Sequence, residues 1–273
     1  MLIAQFSDTH IKHPGQLAYG RVGTADMLRE ALAHLHNLPQ RPDLLVITGD
    51  LVDAGSAAEY EHLKSLLEPC DIPLVLIPGN HDERETLRAV FPDQPASELD
   101  GFWQFALSRP EWPLRIIGLD TVVPQQSGGL LCAQRLRWLD TTLSEATERP
   151  TLVLMHHPPF DTGIGHMDDI GLQGRDGFAD ILWHHPQVRL VVCGHLHRTI
   201  RSTVGGRAVM TAPSTAHTVQ LDLARDAAAM FHMEPPAFLL HWWSGRDLVS
   251  HHVPIGAFSG PHPFFDDNGR LIA

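Results

Sequence analysis

Five short apolar runs in this chain each stop on an Asp, an Asn or a His. Leu2–Phe6 leads into Ser7-Asp8-Thr9-His10, Leu44–Thr48 into Gly49-Asp50, and Leu74–Ile77 into Pro78-Gly79-Asn80-His81-Asp82. Thr151–Met155 leads into His156-His157-Pro158, and Leu190–Cys193 into Gly194-His195-Leu196-His197. The runs are Leu-rich or β-branched and bounded by Gly, Pro or Asp, the pattern of buried strands; Leu114–Leu119 is a sixth. Polar groups repeated at strand ends constrain the fold, because layered α/β sheets build their sites outside the carboxyl ends of the strands. Loops there converge however far apart they lie in sequence.

Helical patterns fill the gaps between the runs. Thr24–Leu38 puts Met27, Leu28, Ala31, Leu32 and Leu35 on one face, with Thr24 as N-cap. Ser56-Ala-Ala-Glu59 reads as a capping box opening a helix to Leu67, and Gln134–Leu143 and Asp176–His184 are further helices. The alternation predicts an α/β fold with sheets covered by helices. The last third is β-rich. Thr199–Val204 and Arg207–Thr211 form a hairpin through Gly205-Gly206, and Ala237–Trp243 and Arg246–Val253 a second through Ser244-Gly245. Residues 224–236 and 255–273 read as loops or a packed tail.

Seven oxygen or nitrogen donors follow the runs: Asp8, His10, Asp50, Asn80, His156, His195 and His197. One four-coordinate site needs three or four, so seven suit two ions with a shared carboxylate. Asp8-x-His10 and His195-x-His197 would each present two donors to one side of an extended segment. Gly before Asp50, Asn80 and His195 removes a Cβ from a crowded turn and permits positive φ. With only O and N donors, Fe, Mn, Co and Zn all suit the set.

These motifs, in this order, resemble those of the calcineurin-like metallophosphoesterase superfamily, over residue 1 to about residue 215. The resemblance implies a four-layer αββα sandwich of two mixed sheets with a C-terminal β-hairpin cap and dimerisation segment. It divides the chain into a catalytic domain, 1–218, and a β-rich cap and tail, 219–273, packed on it. It implies two divalent ions, one held by Asp8, His10, Asp50 and His197, the other by Asp50, Asn80, His156 and His195. His81 would face the substrate phosphate rather than a metal. Tyr19-Gly20, Met155-His156-His157-Pro158-Pro159 and His217 after Pro213-Ser214 look like the class III cyclic-nucleotide phosphodiesterase and bacterial glycerophosphodiesterase subgroup, in which Tyr19 and His217 would line the pocket and dimers or hexamers occur. No Cys follows Cys193, so a disulfide across that tail is not expected.

The expected activity is hydrolysis of small phosphodiesters of the glycerophosphodiester type by a water that the two ions activate, with His81, Asp50 and Asn80 catalytic. A 3′,5′-cyclic nucleotide phosphodiesterase, a phosphomonoesterase and a non-catalytic scaffold are the alternatives. Asp82 would orient His81 or a ligand loop, and His157 would serve as an outer hydrogen-bond partner or in packing. Cys193 reads as a small buried hydrophobe, and His34, His36, His62, His184, His185, His251 and His252 as surface residues. Twenty basic against 32 acidic residues give a net charge of −12, which argues against a nucleic acid polymer as substrate. No apolar run approaches the ~20 residues that cross a bilayer, and three scattered cysteines fit a reducing, cytoplasmic compartment.

Overall fold

All six apolar runs form strands. The computed structural model describes residues 1–272; Ala273, the last residue of the expected C-terminal segment, lies outside the described residues. In chain order the elements are β1 (Leu2–Phe6), α1 (Thr24–His36), β2 (Leu44–Thr48), α2 (Ala57–Leu67), β3 (Leu74–Ile77), α3 (Arg84–Val90), β4 (Phe105–Leu107) and β5 (Arg115–Gly118). There follow β6 (Gly129–Leu130), α4 (Ala133–Ser144), β7 (Thr151–Leu154), α5 (Gly165–Asp168), β8 (Leu172–Gln173), α6 (Arg175–His184) and β9 (Val188–Cys193). The chain ends with β10 (Arg201–Val204), β11 (Arg207–Thr211), β12 (Thr218–Val219), β13 (Phe231–His232), β14 (Ala237–Trp243) and β15 (Leu248–Pro254).

Two mixed sheets result. The first has the order β15-β14-β1-β2-β3, the second β10-β11-β9-β7-β5-β4. Strands β1, β2 and β3 run parallel, as do β11, β9, β7 and β5; antiparallel strands close both edges of the second sheet and one edge of the first, whose other edge is the parallel β3. The period of two along a strand sorts the core into layers. Ile116, Leu152, Leu154, Leu190 and Val192 of the second sheet pack with Phe6, Val46 and Leu76 of the first. Their neighbours Ile117, Val153, Val191 and Val209 face Leu139 and Leu143 of α4 and Phe178 and Leu182 of α6. Leu28, Leu63 and Leu87 bring α1, α2 and α3 into the first core. The stack is thus helix, sheet, sheet, helix, as expected. Among the described residues no helix is long and apolar enough to cross a membrane.

Several local expectations change. Thr24 is not the N-cap of α1; Gly23 holds that position, and the Thr24 hydroxyl instead donates to His10 O at 2.9 Å, tying the helix to the first donor loop. Ser56 does form the capping box with Glu59. The Gly205-Gly206 turn closes its hairpin with both residues at positive φ. The second hairpin pairs Trp243 with Leu248, so its loop is Ser244–Asp247 and not Ser244-Gly245 alone; the Ser244 Oγ accepts the Asp247 and Arg246 amides and holds the longer turn. Residues 224–236 are not all loop, because β13 pairs antiparallel with β12. His185 is buried rather than a surface residue, its Nε2 donating to Asp140 at 2.8 Å.

The β14–β15 hairpin joins the first sheet directly through β1. On it, Trp243 is buried and Trp242 exposed, as strand alternation requires. His241, fully buried, donates from Nε2 to Gln5 Oε1 at 3.0 Å and accepts from Ser250 Oγ at 2.7 Å. Burial, with His251 adding to it, pushes the His241 imidazole down to about 3. Its folded pKa lies below the unfolded one, so between those values the unfolded chain binds more protons and stability falls as pH drops below about 6.5. At pH 5 this single group costs about 2 kcal/mol. Denaturant unfolding of the wild type and His241→Gln at pH 7.5 and pH 5 is expected to show that the variant loses less stability on acidification, by roughly that amount.

Candidate metal centre

The carboxyl ends of β1, β2, β3, β7 and β9 all deliver donors to one place, and their loops bend sharply to do so. Asp8 (φ 53°), His10 (42°), Asp50 (48°), His195 (71°) and His197 (51°) all adopt left-handed backbone. Non-glycine residues seldom do this, and Asp and His are among the less disfavoured. The extended geometry expected for Asp8-x-His10 and His195-x-His197 is therefore incorrect. Each pair converges because both of its residues turn left-handed, at a cost of order 1–3 kcal/mol apiece that the surrounding fold offsets. Crowding explains the three glycines better than φ: only Gly49 has positive φ, but a Cβ on Gly79 would strike the Asp50 carboxylate and one on Gly194 the Ser7 hydroxyl.

Asp50 sits between two groups of side chains. On one side its Oδ2 lies 3.6 Å from His10 Nε2, which faces His197 Nε2 at 3.2 Å; His197 Nε2 is in turn 3.6 Å from Asp8 Oδ1. On the other side its Oδ1 lies 3.4 Å from His156 Nε2, which is 3.1 Å from Asn80 Oδ1. The His195 ring stands 5.2 Å from that of His156, and its amide donates to Asp8 Oδ1 at 3.0 Å. All seven expected donors are thus together. Donor atoms of Asp8, His10, Asp50 and His197 lie within 4.8 Å of one another.

Backbone carbonyls aim the rings. His156 donates from Nδ1 to Thr48 O at 2.8 Å, and His197 from Nδ1 to His217 O at 3.1 Å. Each bond keeps Nδ1 occupied and turns Nε2 inward, the usual device that orients a ligating imidazole. Asp53, not singled out in the sequence, places Oδ1 3.4 Å from His10 Nδ1, close enough for charge attraction but not aligned as a hydrogen bond. Asp82 accepts from the Gly79, Leu51 and Val52 amides and from Tyr60 Oη, so it braces the two ligand loops rather than orienting His81. His157 is spent, its Nδ1 accepting from Thr121 Oγ1 at 2.8 Å and its Nε2 donating to Ser127 O at 3.0 Å, and its ring backs His195.

The electrostatics fit a cation. Asp8 Oδ2 and His195 Nε2 are buried without a hydrogen-bond partner, a costly state for polar atoms. Burial pushes Asp8 up to about 6, Asp50 adding repulsion while His156 and His10 oppose it. Asp50 stays well below the usual carboxylate range despite its burial, held there by His156, His81 and His10. Burial, with His10 adding to it, pushes His197 down to about 3, and burial beside His157 and His156 keeps His195 well below its usual value. His156 goes the other way, to about 9, because Asp50 and Asp8 outweigh its burial; a bound cation would take the place of that proton. Hard oxygen and imidazole donors with bare inward lone pairs are the composition of a divalent metal centre.

A cleft of about 310 Å³ opens over the cluster. His81 lines it, donating from Nδ1 to Asp53 O at 2.7 Å, which leaves Nε2 free. Tyr19 and His217 line it as expected, with ring centres 5.1 Å apart. Ser127, His166, Met167, Ile170 and Phe231 also line it and were not anticipated. Phe231 reaches Tyr19 because β13 pairs with β12, a contact with no local signature; Asp53, three residues after Asp50, was within reach of a motif reading.

The family model for calcineurin-like phosphoesterases matches residues 1–199, a span that contains all seven donors and His81. The chain is 40% identical over 274 residues to a probable glycerophosphodiester phosphodiesterase of Arcobacter nitrofigilis, covering all of both chains. It is 31% identical over 217 residues to the 3′,5′-cyclic adenosine monophosphate phosphodiesterase of Escherichia coli, covering 78% of this chain and 75% of that one. In fold it is similar to a dimetal phosphatase from Danio rerio, with a TM-score of 0.64 at 16% identity over 94% of this chain and 99% of the other. With the motifs in register, the donors gathered at one edge and the matched span covering most of its length, the chain belongs to the calcineurin-like phosphoesterase family.

Proposed function

We propose that the protein is a dinuclear metal-dependent phosphodiesterase acting on small phosphodiesters of the glycerophosphodiester type. The observation that carries this reading is Asp50, whose two oxygens turn to two different donor groups. Asp8, His10, His197 and Asp50 would hold one ion, and Asn80, His156, His195 and Asp50 the other. Two divalent ions so held would supply charge neutralisation at the phosphate and the acidity that makes water a nucleophile at neutral pH. His81, which lines the cleft with Nδ1–H on the Asp53 carbonyl, would in its doubly protonated form give from Nε2 the proton that a poor alkoxide leaving group needs. Tyr19, His217 and Phe231 receive the organic half of the substrate.

The lining supports a diester. Met167, Ile170, Val219, Met230 and Phe231 make one wall apolar, which suits a phosphorus carrying an organic group beyond the one that leaves. The 40% identity to a glycerophosphodiester phosphodiesterase, against 33% to a probable cyclic nucleotide phosphodiesterase matched over nearly the same length, supports that class over the cyclic nucleotide. The second reading, a cyclic nucleotide, draws on the Tyr19 and Phe231 rings, whose centres lie 5.1 Å apart and offer a surface for a base. Phe258, Phe264, Phe265 and Leu271, all more than half exposed on the C-terminal tail, support self-association into a dimer or hexamer. The three free thiols fit a cytoplasmic setting.

Metal-free protein reconstituted with Mn, Co, Fe or Zn tests the substrate class. Glycerophosphoethanolamine and bis-nitrophenyl phosphate are expected to turn over faster than nitrophenyl phosphate and cyclic AMP; no diester hydrolysis with any metal rejects the reading. Asn80→Ala is expected to lose one of two ions and at least about 100-fold in turnover, checked by metal analysis and kinetics. His81→Ala is expected to keep both ions and to slow alkyl diesters by about 10²–10⁴-fold, the range of a general acid, with a smaller loss on nitrophenyl esters. Equal losses on both substrates would contradict the proton-donor role.

A further inference from the structure

One continuous hydrogen-bond chain ties the C-terminal hairpin to the metal centre. Gln5 on β1 is fully buried where the two sheets meet. Its side-chain Nε2 donates to Thr48 Oγ1 at 2.9 Å on β2 and to Cys193 O at 3.0 Å on β9. A carbonyl only accepts, so Cys193 fixes which end of the Gln5 amide is the NH₂. The Gln5 Oε1 must then accept, and His241 Nε2 donates to it at 3.0 Å. That assigns the remaining His241 nitrogen, Nδ1, as acceptor of the Ser250 hydroxyl at 2.7 Å.

The chain continues toward the ligands with the same polarity. Thr48 Oγ1, having accepted from Gln5, donates to Ser7 Oγ at 2.8 Å, the nearer of its two acceptors. Ser7 Oγ donates to Thr48 O at 3.3 Å, and that same carbonyl accepts Nδ1–H of His156 at 2.8 Å. The Cys193 carbonyl thus fixes the donor–acceptor assignment from Ser250 to Thr48 Oγ1, and the Thr48 and Ser7 hydroxyls complete the path to the carbonyl that holds His156. Apolar side chains of similar size would fill the Gln5 and His241 positions at little cost in net stability. What the polar chain adds is direction.

We infer that Gln5, Thr48 and His241 are positioning residues for the ion held by His156: they fix the Thr48 carbonyl, and through it the plane of the imidazole. The inference rests on the dinuclear reading above. Groups that orient a ligating histidine without touching the ion typically contribute 10–100-fold in metal affinity, and this chain is the orienting group of His156. His197 takes its orientation from the His217 carbonyl, and His10 makes no hydrogen bond to the chain, so the effect is confined to one of the two sites.

The test is Mn²⁺ binding to metal-free full-length protein, followed by calorimetry, for wild type, Thr48→Val, His241→Leu and His241→Gln. Wild type binds two ions. Thr48→Val and His241→Leu are expected to bind the first ion normally and the second about tenfold or more weakly, while His241→Gln, which can still donate to Gln5 and accept from Ser250, restores wild-type affinity. Wild-type affinity at both sites in folded Thr48→Val overturns the inference. So does equal weakening of both sites, which marks a general structural effect, or a failure of His241→Gln to restore what His241→Leu loses. Should His241→Leu not fold, Thr48→Val decides alone, because it removes one hydroxyl at constant shape. A wild-type chain that binds fewer than two ions contradicts the dinuclear reading itself.

Discussion

The structure depends on holding Asp8 and Asp50 in its interior. Both carboxylates are essentially inaccessible to solvent. Taking a charged carboxylate out of water is among the most expensive steps in folding unless a countercharge accompanies it. Here the countercharge is shared among imidazoles and whatever cation they hold. The left-handed turns at Asp8, His10, Asp50, His195 and His197, the glycines that let loops touch, and the carbonyls that aim His156 and His197 all serve that one arrangement. Partial occupation of so many strained positions would have no compensating gain, so the cluster is best understood as one unit.

The sandwich makes the unit possible. Parallel strands β1, β2 and β3 bring three loops to one edge of the first sheet, and β7 and β9 bring two to the matching edge of the second. Where the sheets meet, Gln5 spans from β2 to β9 directly beneath the donors. The distance between donor groups is thus set by how the two sheets pack, through a core that includes Phe6, Leu152 and Val192. The cleft above is built from less regular parts, α5 and the short β12–β13 pair, and these supply its apolar wall.

That division explains what was legible in the amino-acid sequence. Buried strands announce themselves by short apolar runs, and donors placed directly after them need no knowledge of long-range packing, so the seven residues and His81 were evident. The backbone conformation was not: alternation suggested extended Asp8-x-His10, but only the collision of five loops at one point forces both residues left-handed. Met167, Ile170 and Phe231 carry no local signal, because their place in the cleft follows from pairing across residues 218–232 and from a four-residue helix. His241 and Gln5 were likewise invisible, since a buried polar pair on neighbouring strands looks like ordinary strand polarity until the register is known.

Asp50, its two oxygens turned to two donor groups, would serve two ions acting together on a diester. Stepwise addition of Mn²⁺ to metal-free protein, with bound metal and bis-nitrophenyl phosphate turnover followed in the same sample, tests this most directly. Two ions per chain at saturation, with turnover that rises as the second binds, is the expected result. Full turnover in the chelator-treated protein, or turnover that reaches its maximum with one ion bound per chain, would contradict it.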